Sequence, residues 1–409
     1  MQYNPKDLSI DMGKEDRYSR LRLIPWWDQD RLARAKVMVV GSGALGNEVI
    51  KNLALLGTGT ILIVDFDVVE TSNLSRSVLF RPEDEGKSKA DAAARAAMRV
   101  NPDCRAIALE ADVTSDVGLG LFRWADVVIC GPDNREARLA VNRACWKVNR
   151  PWVDGATESI QGIAKVFQPP DGACYECTLG EHDLRVMAAR DSCGFLAKQA
   201  YRQGHVPTTP TISAVIAGVQ VQEAVKLLHP DCGLPSLAGK GFFFDGSNYE
   251  CFTIQYSRRE DCLSHETFEN VIETSLTSEA TLADVAKKAA KHLRGQETLA
   301  EHGGAEQRVV IDLPGEMVTE LRCSKCRSSE EFYRLARSVT VDEARCPSCG
   351  EIRTPEVAYE YSDGLAFGSR TLSELGFGIM DVLPARRGDC EVQIEISGDA
   401  ERLFGAGCD

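Results

Sequence analysis

The side chains able to do chemistry fall into three groups along the sequence, and the first is built on glycine. Gly41, Gly43 and Gly46 hold the spacing G-x-G-x-x-G. In such a turn one glycine allows the tight bend, one lets backbone N–H groups approach a phosphate, and one packs a helix against a strand. Asp65 lies 19 residues beyond Gly46, where its carboxylate can accept ribose hydroxyls, and Asp67 follows it. By itself this fingerprint fits NAD, or a tight turn with no ligand. The polar residues that follow change the reading, because Asn73, Arg76 and Lys89 add an amide, a guanidinium and an ammonium at the phosphate end. Hydride transfer needs no such charge there. Attack on an α-phosphate does, since charge develops on the nonbridging oxygens and on the departing pyrophosphate. Asp133 and Asn134 end a further apolar run, and a carboxylate at a strand C-terminus occupies the usual ligand crevice of an open parallel sheet, where Asp133 could hold Mg²⁺. Each of these residues alone also fits a helix cap or a surface ion pair. Together they predict nucleotidyl transfer.

Cysteine supplies the other two groups. Six of the fifteen cysteines stand in C-x-x-C pairs, a pattern of metal binding or thiol chemistry more than of a disulfide framework. Cys174 and Cys177 need two further ligands for a tetrahedral zinc site, and Cys262-Leu-Ser-His265 offers a thiolate and an imidazole. Cys323/Cys326 and Cys346/Cys349 bracket 19 residues, the spacing of a four-cysteine zinc ribbon. Unmetallated or redox-active thiols are the alternative for each set. The isolated Cys104, Cys130, Cys145, Cys232 and Cys251 read as small core residues and receive no role.

The elements that must position these groups follow from periodicity. From Ala35, AKVMVVGSGALGNEVIKNLALLGTGTILIVDFD reads as strand, glycine turn, helix and strand, a βαβ unit. Lys89 opens an alanine-rich helix, WADVVIC reads as another strand, and a buried-type helix runs from about Thr211 to Leu228 behind Pro207 and Pro210. After His265 the texture changes: residues 278–293 form an amphipathic helix with Leu282, Val285, Ala286, Ala289 and Leu293 on one face. The predicted fold class is α/β, a Rossmann-like, mostly parallel sheet flanked by helices, with a zinc site and a small α+β C-terminal domain carrying the zinc ribbon. The predicted domains are 1–265 and 266–409.

With 409 residues, 44% apolar and 26% charged, the chain is expected to fold as a globular protein. A net charge of -14 argues against a broad nucleic-acid surface, which would be basic. No run of 18 apolar residues and no secretory start is evident, so the expected location is cytoplasmic, with no membrane partner.

GSGALG, DFDVVETSNLSR, GKSKADAA, the PDN turn followed by Arg138 and Asn142, and RYSR near the start resemble the E1/MoeB/ThiF superfamily of adenylating enzymes over roughly residues 15–265. The resemblance implies that Asp65 binds ribose, that Asn73, Arg76 and Lys89 bind the phosphates of ATP, and that Asp133 holds Mg²⁺. Arg20 resembles an arginine that enters the partner protomer's active site, which implies a homodimer. Ser77 departs from the glutamine that relatives commonly carry after the arginine. The implied function is adenylation of the C-terminal carboxylate of a ubiquitin-like protein. In a crossover loop at about 178–207, Cys193 stands where several E1-type enzymes carry their thioester cysteine, with Arg190 and Lys198 near in sequence to lower its pKa. An inert packed thiol is the alternative. Residues 369–399 resemble the last part of a ubiquitin-like fold of the kind by which some E1 enzymes recruit an E2-like protein; a generic α+β appendage fits them equally. The rival readings are a sulfur-carrier adenylyltransferase of cofactor biosynthesis, a non-catalytic nucleotide-binding scaffold and, last, an NAD dehydrogenase.

Overall fold

The computed structural model describes residues 15–180, 207–293 and 308–405. Five strands alternate with helices in its first part: β1 (Lys36–Val40), β2 (Thr60–Val64), β3 (Arg105–Leu109), β4 (Val127–Cys130) and β5 (Trp152–Glu158), with α1 (Gln29–Arg34), α2 (Ala44–Leu56), α3 (Lys89–Val100), α4 (Leu119–Trp124) and α5 (Arg135–Lys147). These strands pair in parallel, and the antiparallel β6 (Gln161–Phe167), β7 (Lys240–Asp245) and β8 (Glu250–Gln255) extend the sheet to the order β3-β2-β1-β4-β5-β6-β7-β8. The strand order reverses between β1 and β4, so a crevice opens beyond their C-terminal ends.

Alternation along the strands fills both faces. Val37, Val39, Ile61, Ile63, Val127 and Ile129 pack with α2, α3 and α6 (Pro210–Leu228) on one side. Met38, Val40, Leu62, Val64, Val128 and Trp152 pack with α4 and α5 on the other. A strand buried on both faces must read as a continuous apolar run, as KVMVV and TILIV do. By length and composition α6 could cross a membrane, with mean hydropathy 1.2; here Ile212, Ile216, Ala217, Val221 and Ala224 bury one side of it in the core.

A second, six-stranded sheet takes β9 (Val271–Thr274), β10 (Val310–Arg322), β11 (Ser329–Leu335), β12 (Thr354–Ser362), β13 (Val382–Arg387) and β14 (Cys390–Ile396). Its order is β11-β10-β13-β14-β9, with β12 also on β10. The amphipathic face expected at 278–293 is carried by α7 (Leu282–Leu293), whose Leu282, Val285, Ala286, Ala289 and Leu293 enter this sheet's core. The segment that resembled a ubiquitin-like fold contributes the β13–β14 hairpin to a sheet assembled from residues 271–396.

The two sheets meet along a tight backbone seam. Gly118 and Gly120 donate to the carbonyls of Ile379 and Met380 at 2.9 and 2.7 Å, and Ile379 donates back to Asp116 at 2.9 Å. Arg123 pairs with Glu395 at 2.5 Å and also with Glu273, while Trp124 stacks on Phe404 with ring centroids 4.3 Å apart. A Cβ on Gly118 would lie 2.4 Å from the Asp381 nitrogen, a rigid backbone atom. Gly118→Val is therefore expected to lower stability by about 1–3 kcal/mol, the usual cost of overpacking. An unchanged urea unfolding curve would show that the seam contributes nothing.

Candidate active site and metal clusters

The turns after β1, β2 and β4 converge at the crevice. Gly41 has φ +87° and donates to the Val64 carbonyl at 2.9 Å, and a Cβ on it would lie 3.2 Å from the Gly131 carbonyl oxygen, which joins the β1 turn to the β4 turn. Gly46 is obligatory for a different reason: its Cβ would sit 1.9 Å from the Gly41 carbonyl oxygen. Gly43 caps the N-terminus of α2 and faces open space, leaving the first N–H groups of the helix accessible to an anion.

Asp65 is held against this turn. One carboxylate oxygen accepts from the Ser42 N–H at 2.7 Å and its hydroxyl at 2.9 Å, and the other accepts from the Asp67 N–H at 2.9 Å. Burial raises its pKa despite those bonds and nearby Lys89. Lys89, the first residue of α3, places its ammonium 2.9 Å from Asp67 and donates its backbone N–H to the Asp67 carbonyl. Asn73 is buried and accepts from the Glu70 N–H at 3.0 Å, shaping the turn that ends at Arg76, whose guanidinium donates to the Ser72 carbonyl at 2.7 Å. Asn47 ties this turn to the glycines: it donates to the Ser42 and Gly43 carbonyls and accepts from the Leu79 N–H at 2.8 Å. Asn134 caps α5 through the Ala137 N–H at 2.8 Å and donates to Asp133 at 3.2 Å, leaving Asp133 exposed.

Arg20 lies elsewhere. Tyr18 packs against the α2–β2 turn, where a Cβ on Gly57 would meet its ring at 2.5 Å, and its hydroxyl bonds Asn101 and Asp103. That is the N-terminal end of the parallel strands, opposite the crevice. The Arg20 side chain is 87% exposed there and lies 3.8 Å from Glu15. Cys193 and the loop around it lie outside the described residues. Ser77, the departure from the family pattern, is buried with no hydrogen-bond partner for its hydroxyl among the described residues.

Both cysteine sets assemble. The ligand atoms of Cys174, Cys177, Cys262 and His265 all lie within 4.8 Å of one another, as do those of Cys323, Cys326, Cys346 and Cys349. Sγ–Sγ separations of 3.5 and 3.7 Å in the first set, and 3.5 Å in the second, match the edge of about 3.8 Å that a tetrahedron with Zn–S near 2.3 Å demands. The donors are thiols and one imidazole, which suit zinc. His265 packs on the ring of buried Trp146 at 4.4 Å, and Arg259 donates its N–H to the Cys177 sulfur at 3.3 Å. The first set fastens residues past β6 to the segment that leads into β9. The second closes the two turns flanking β11 and β12.

Three polar residues that shape the crevice were not singled out from sequence: Ser42, inside the glycine motif, Asn47 on α2 and Asp154 on β5. The signal that could have drawn attention to Asp154 is a carboxylate in the buried part of a strand.

The fold and the crevice define a class: an α/β nucleotide-binding domain with a glycine turn at the C-terminal ends of its strands, extended by antiparallel strands and carrying a cluster of three cysteines and a histidine able to hold a metal. The chain belongs to the ThiF family, which it matches over residues 16–264. It is 33% identical over 264 residues to the SAMP-activating enzyme E1 of Haloferax volcanii, covering 62% of this chain and 90% of that protein. It is 36% identical over 174 residues to the NEDD8-activating enzyme E1 catalytic subunit of Caenorhabditis elegans, covering 38% of this chain and 40% of that one. The sulfur carrier protein adenylyltransferase of Thermus thermophilus is 38% identical over 170 residues, covering 40% and 63%. The fold is also that of E. coli MccB solved with ATP, with TM-score 0.50 and 22% identity over 61% of this chain and 74% of that one.

Two zinc equivalents per chain are expected by elemental analysis, falling to one in Cys323→Ser. A preparation incubated with zinc that retains none would leave both clusters as plain thiols.

Proposed function

We propose that the chain is an E1-like activating enzyme that uses MgATP to adenylate the C-terminal carboxylate of a ubiquitin-like protein. The observation that carries this reading is the convergence of Asp65, Lys89 and Asp133 with the open N-terminus of α2 at one crevice. The relatives named above supply the substrate class. Asp65 accepts the ribose hydroxyls. The α2 N-terminus, Asn73, Arg76 and Lys89 bind the phosphates and take up negative charge as the incoming carboxylate oxygen bonds the α-phosphorus and pyrophosphate leaves. Asp133 would hold Mg²⁺, which when bound neutralises phosphate charge. Lys89, paired with Asp67 here, must exchange that partner for phosphate.

Arg20, facing solvent at the far end of its own sheet, is suited to act on a second copy, so the active form is a homodimer. Residues 1–265 are the adenylation domain. The Cys193 thiolate then attacks the acyl-adenylate carbonyl, forming a thioester as the acyl–phosphate bond breaks and AMP leaves, and residues 266–409 receive an E2-like protein. A second reading, adenylation of a sulfur carrier without a thioester, is favoured by the Thermus relative.

ATP:pyrophosphate exchange dependent on a ubiquitin-like protein is the direct test. Asp133→Ala and Lys89→Ala are each expected to lower its rate by about 10²-fold or more; near-normal exchange in both would refute the assignment of the crevice. A DTT-sensitive adduct that vanishes in Cys193→Ala separates the thioester route from the sulfur-carrier route. The raised pKa of Asp65 sets a pH dependence of known sign. The folded state favours its protonated form, so its contribution to stability is present at low pH and is lost as pH rises through the raised value. Nucleotide binding runs the other way, because the ionised form is the better acceptor. Binding should therefore weaken on acidification at a pH above the ordinary aspartate value of 3.8; calorimetric titrations with ATP across acid pH measure it, and affinity flat down to that value would remove Asp65 from the ribose site.

A further inference from the structure

Arg138 and Asp154 form a buried ion pair beside the Asp133 turn, with Arg138 Nε 2.9 Å from Asp154 Oδ1. The rest of the guanidinium is spent on carbonyls. Its Nη2 donates to the carbonyls of Pro132 at 2.7 Å and Gly155 at 3.0 Å, and its Nη1 donates to that of Asn134 at 3.3 Å. Pro132 and Asn134 flank Asp133, so one rigid, planar cation grips the turn on both sides of that carboxylate. The other Asp154 oxygen is buried without a hydrogen-bond partner among the described residues. Lys165, its neighbour across the β5–β6 ladder, directs its ammonium over Tyr175 and Tyr256, 5.2 and 5.7 Å from their ring centroids. Apolar packing would serve stability at least as well as a desolvated ion pair of this kind. Its geometry is what apolar residues could not reproduce.

We propose that Asp154 is a positioning residue: it orients Arg138, and Arg138 fixes the Pro132–Asn134 turn so that Asp133 is presented to the magnesium–nucleotide complex. This rests on the adenylation reading. Without Asp154 the guanidinium loses the charge that sets its plane, and the turn's carbonyls lose a fixed donor. Asp133 then samples orientations in which it does not meet the cation. The cost falls on the chemical step and on the magnesium requirement, and it spares nucleotide affinity, which the glycine turn and Asp65 supply.

The test replaces the pair with apolar residues of similar size, Arg138→Met with Asp154→Leu, a change that keeps the core filled. In the full chain three quantities are read: thermal stability, amide hydrogen exchange of residues 131–135, and ATP:pyrophosphate exchange as a function of magnesium. The expected result is a melting temperature close to that of the wild type and exchange of the turn amides at least ten-fold faster. kcat falls at least ten-fold, KM for ATP stays within two-fold, and half-saturating magnesium rises several-fold. Turn amides, kcat and magnesium dependence all at wild-type values would overturn the proposal, as would an equal loss in kcat/KM that comes entirely from KM for ATP. If the double variant does not fold, Asp154→Asn carries the same measurements, since it keeps the size and one acceptor oxygen while removing the charge. If the wild type itself supports no exchange with any tail-bearing protein, the adenylation reading fails. The hydrogen-exchange arm still decides whether the pair holds the turn.

Discussion

The carbonyl of Gly41 faces a position on α2 where no side-chain atom fits, 1.9 Å from where a Cβ at Gly46 would stand. Because that position is glycine, the first turn of α2 can lie directly on the β1 turn, and the helix begins at the C-terminal ends of the strands with its unpaired N–H groups turned into the crevice. Asp65 can then reach Ser42, Asn47 can bridge the glycine turn to Leu79, and Gly41 can approach Gly131. A helix displaced by even a methyl group would separate these contacts together.

Local chemistry was readable from sequence, and chemistry made by sheet order was not. The glycine turn, Asp65 and the C-x-x-C pairs declare themselves because a short stretch of chain contains the motif. Pairing Cys174 with Cys262 across 88 residues was also readable, because zinc demands four ligands and the first pair supplies two. Asp154 is different. It meets Arg138 only because β5 lies beside β4, which brings it to a guanidinium on the helix between those strands. Asn47 likewise has the spacing of any core-facing helix residue, and its role depends on where Leu79 returns. The far placement of Arg20 was hidden for the same reason: its sequence neighbours do not reveal which end of a sheet Tyr18 will pin.

The second sheet illustrates the limit at larger scale. The helix face at 282–293 and the knuckles at 323–349 were legible, since one is periodic and the other is spaced for a metal. The pairing of β9 with β14 was not, because it joins Val271–Thr274 to residues more than a hundred positions later, with no turn or motif to announce it. Short parallel edge strands of this kind are specified by burial and by the neighbours they find.

That β9 pairing has a mechanical meaning. The chain leaves the Cys262–His265 cluster and enters β9 within a few residues, Phe268 on the way donating to the Lys147 carbonyl at 2.7 Å. No slack tether connects the two sheets, so the C-terminal third is a buttress bolted to the nucleotide-binding layer. A truncation placed just after the cluster would strip Trp124 of its stacking ring and leave Arg123 without either glutamate. A macromolecule seated on the buttress would be held at a constant bearing from the crevice, and any traffic between the two would depend on the visitor's own reach in place of a swinging arm.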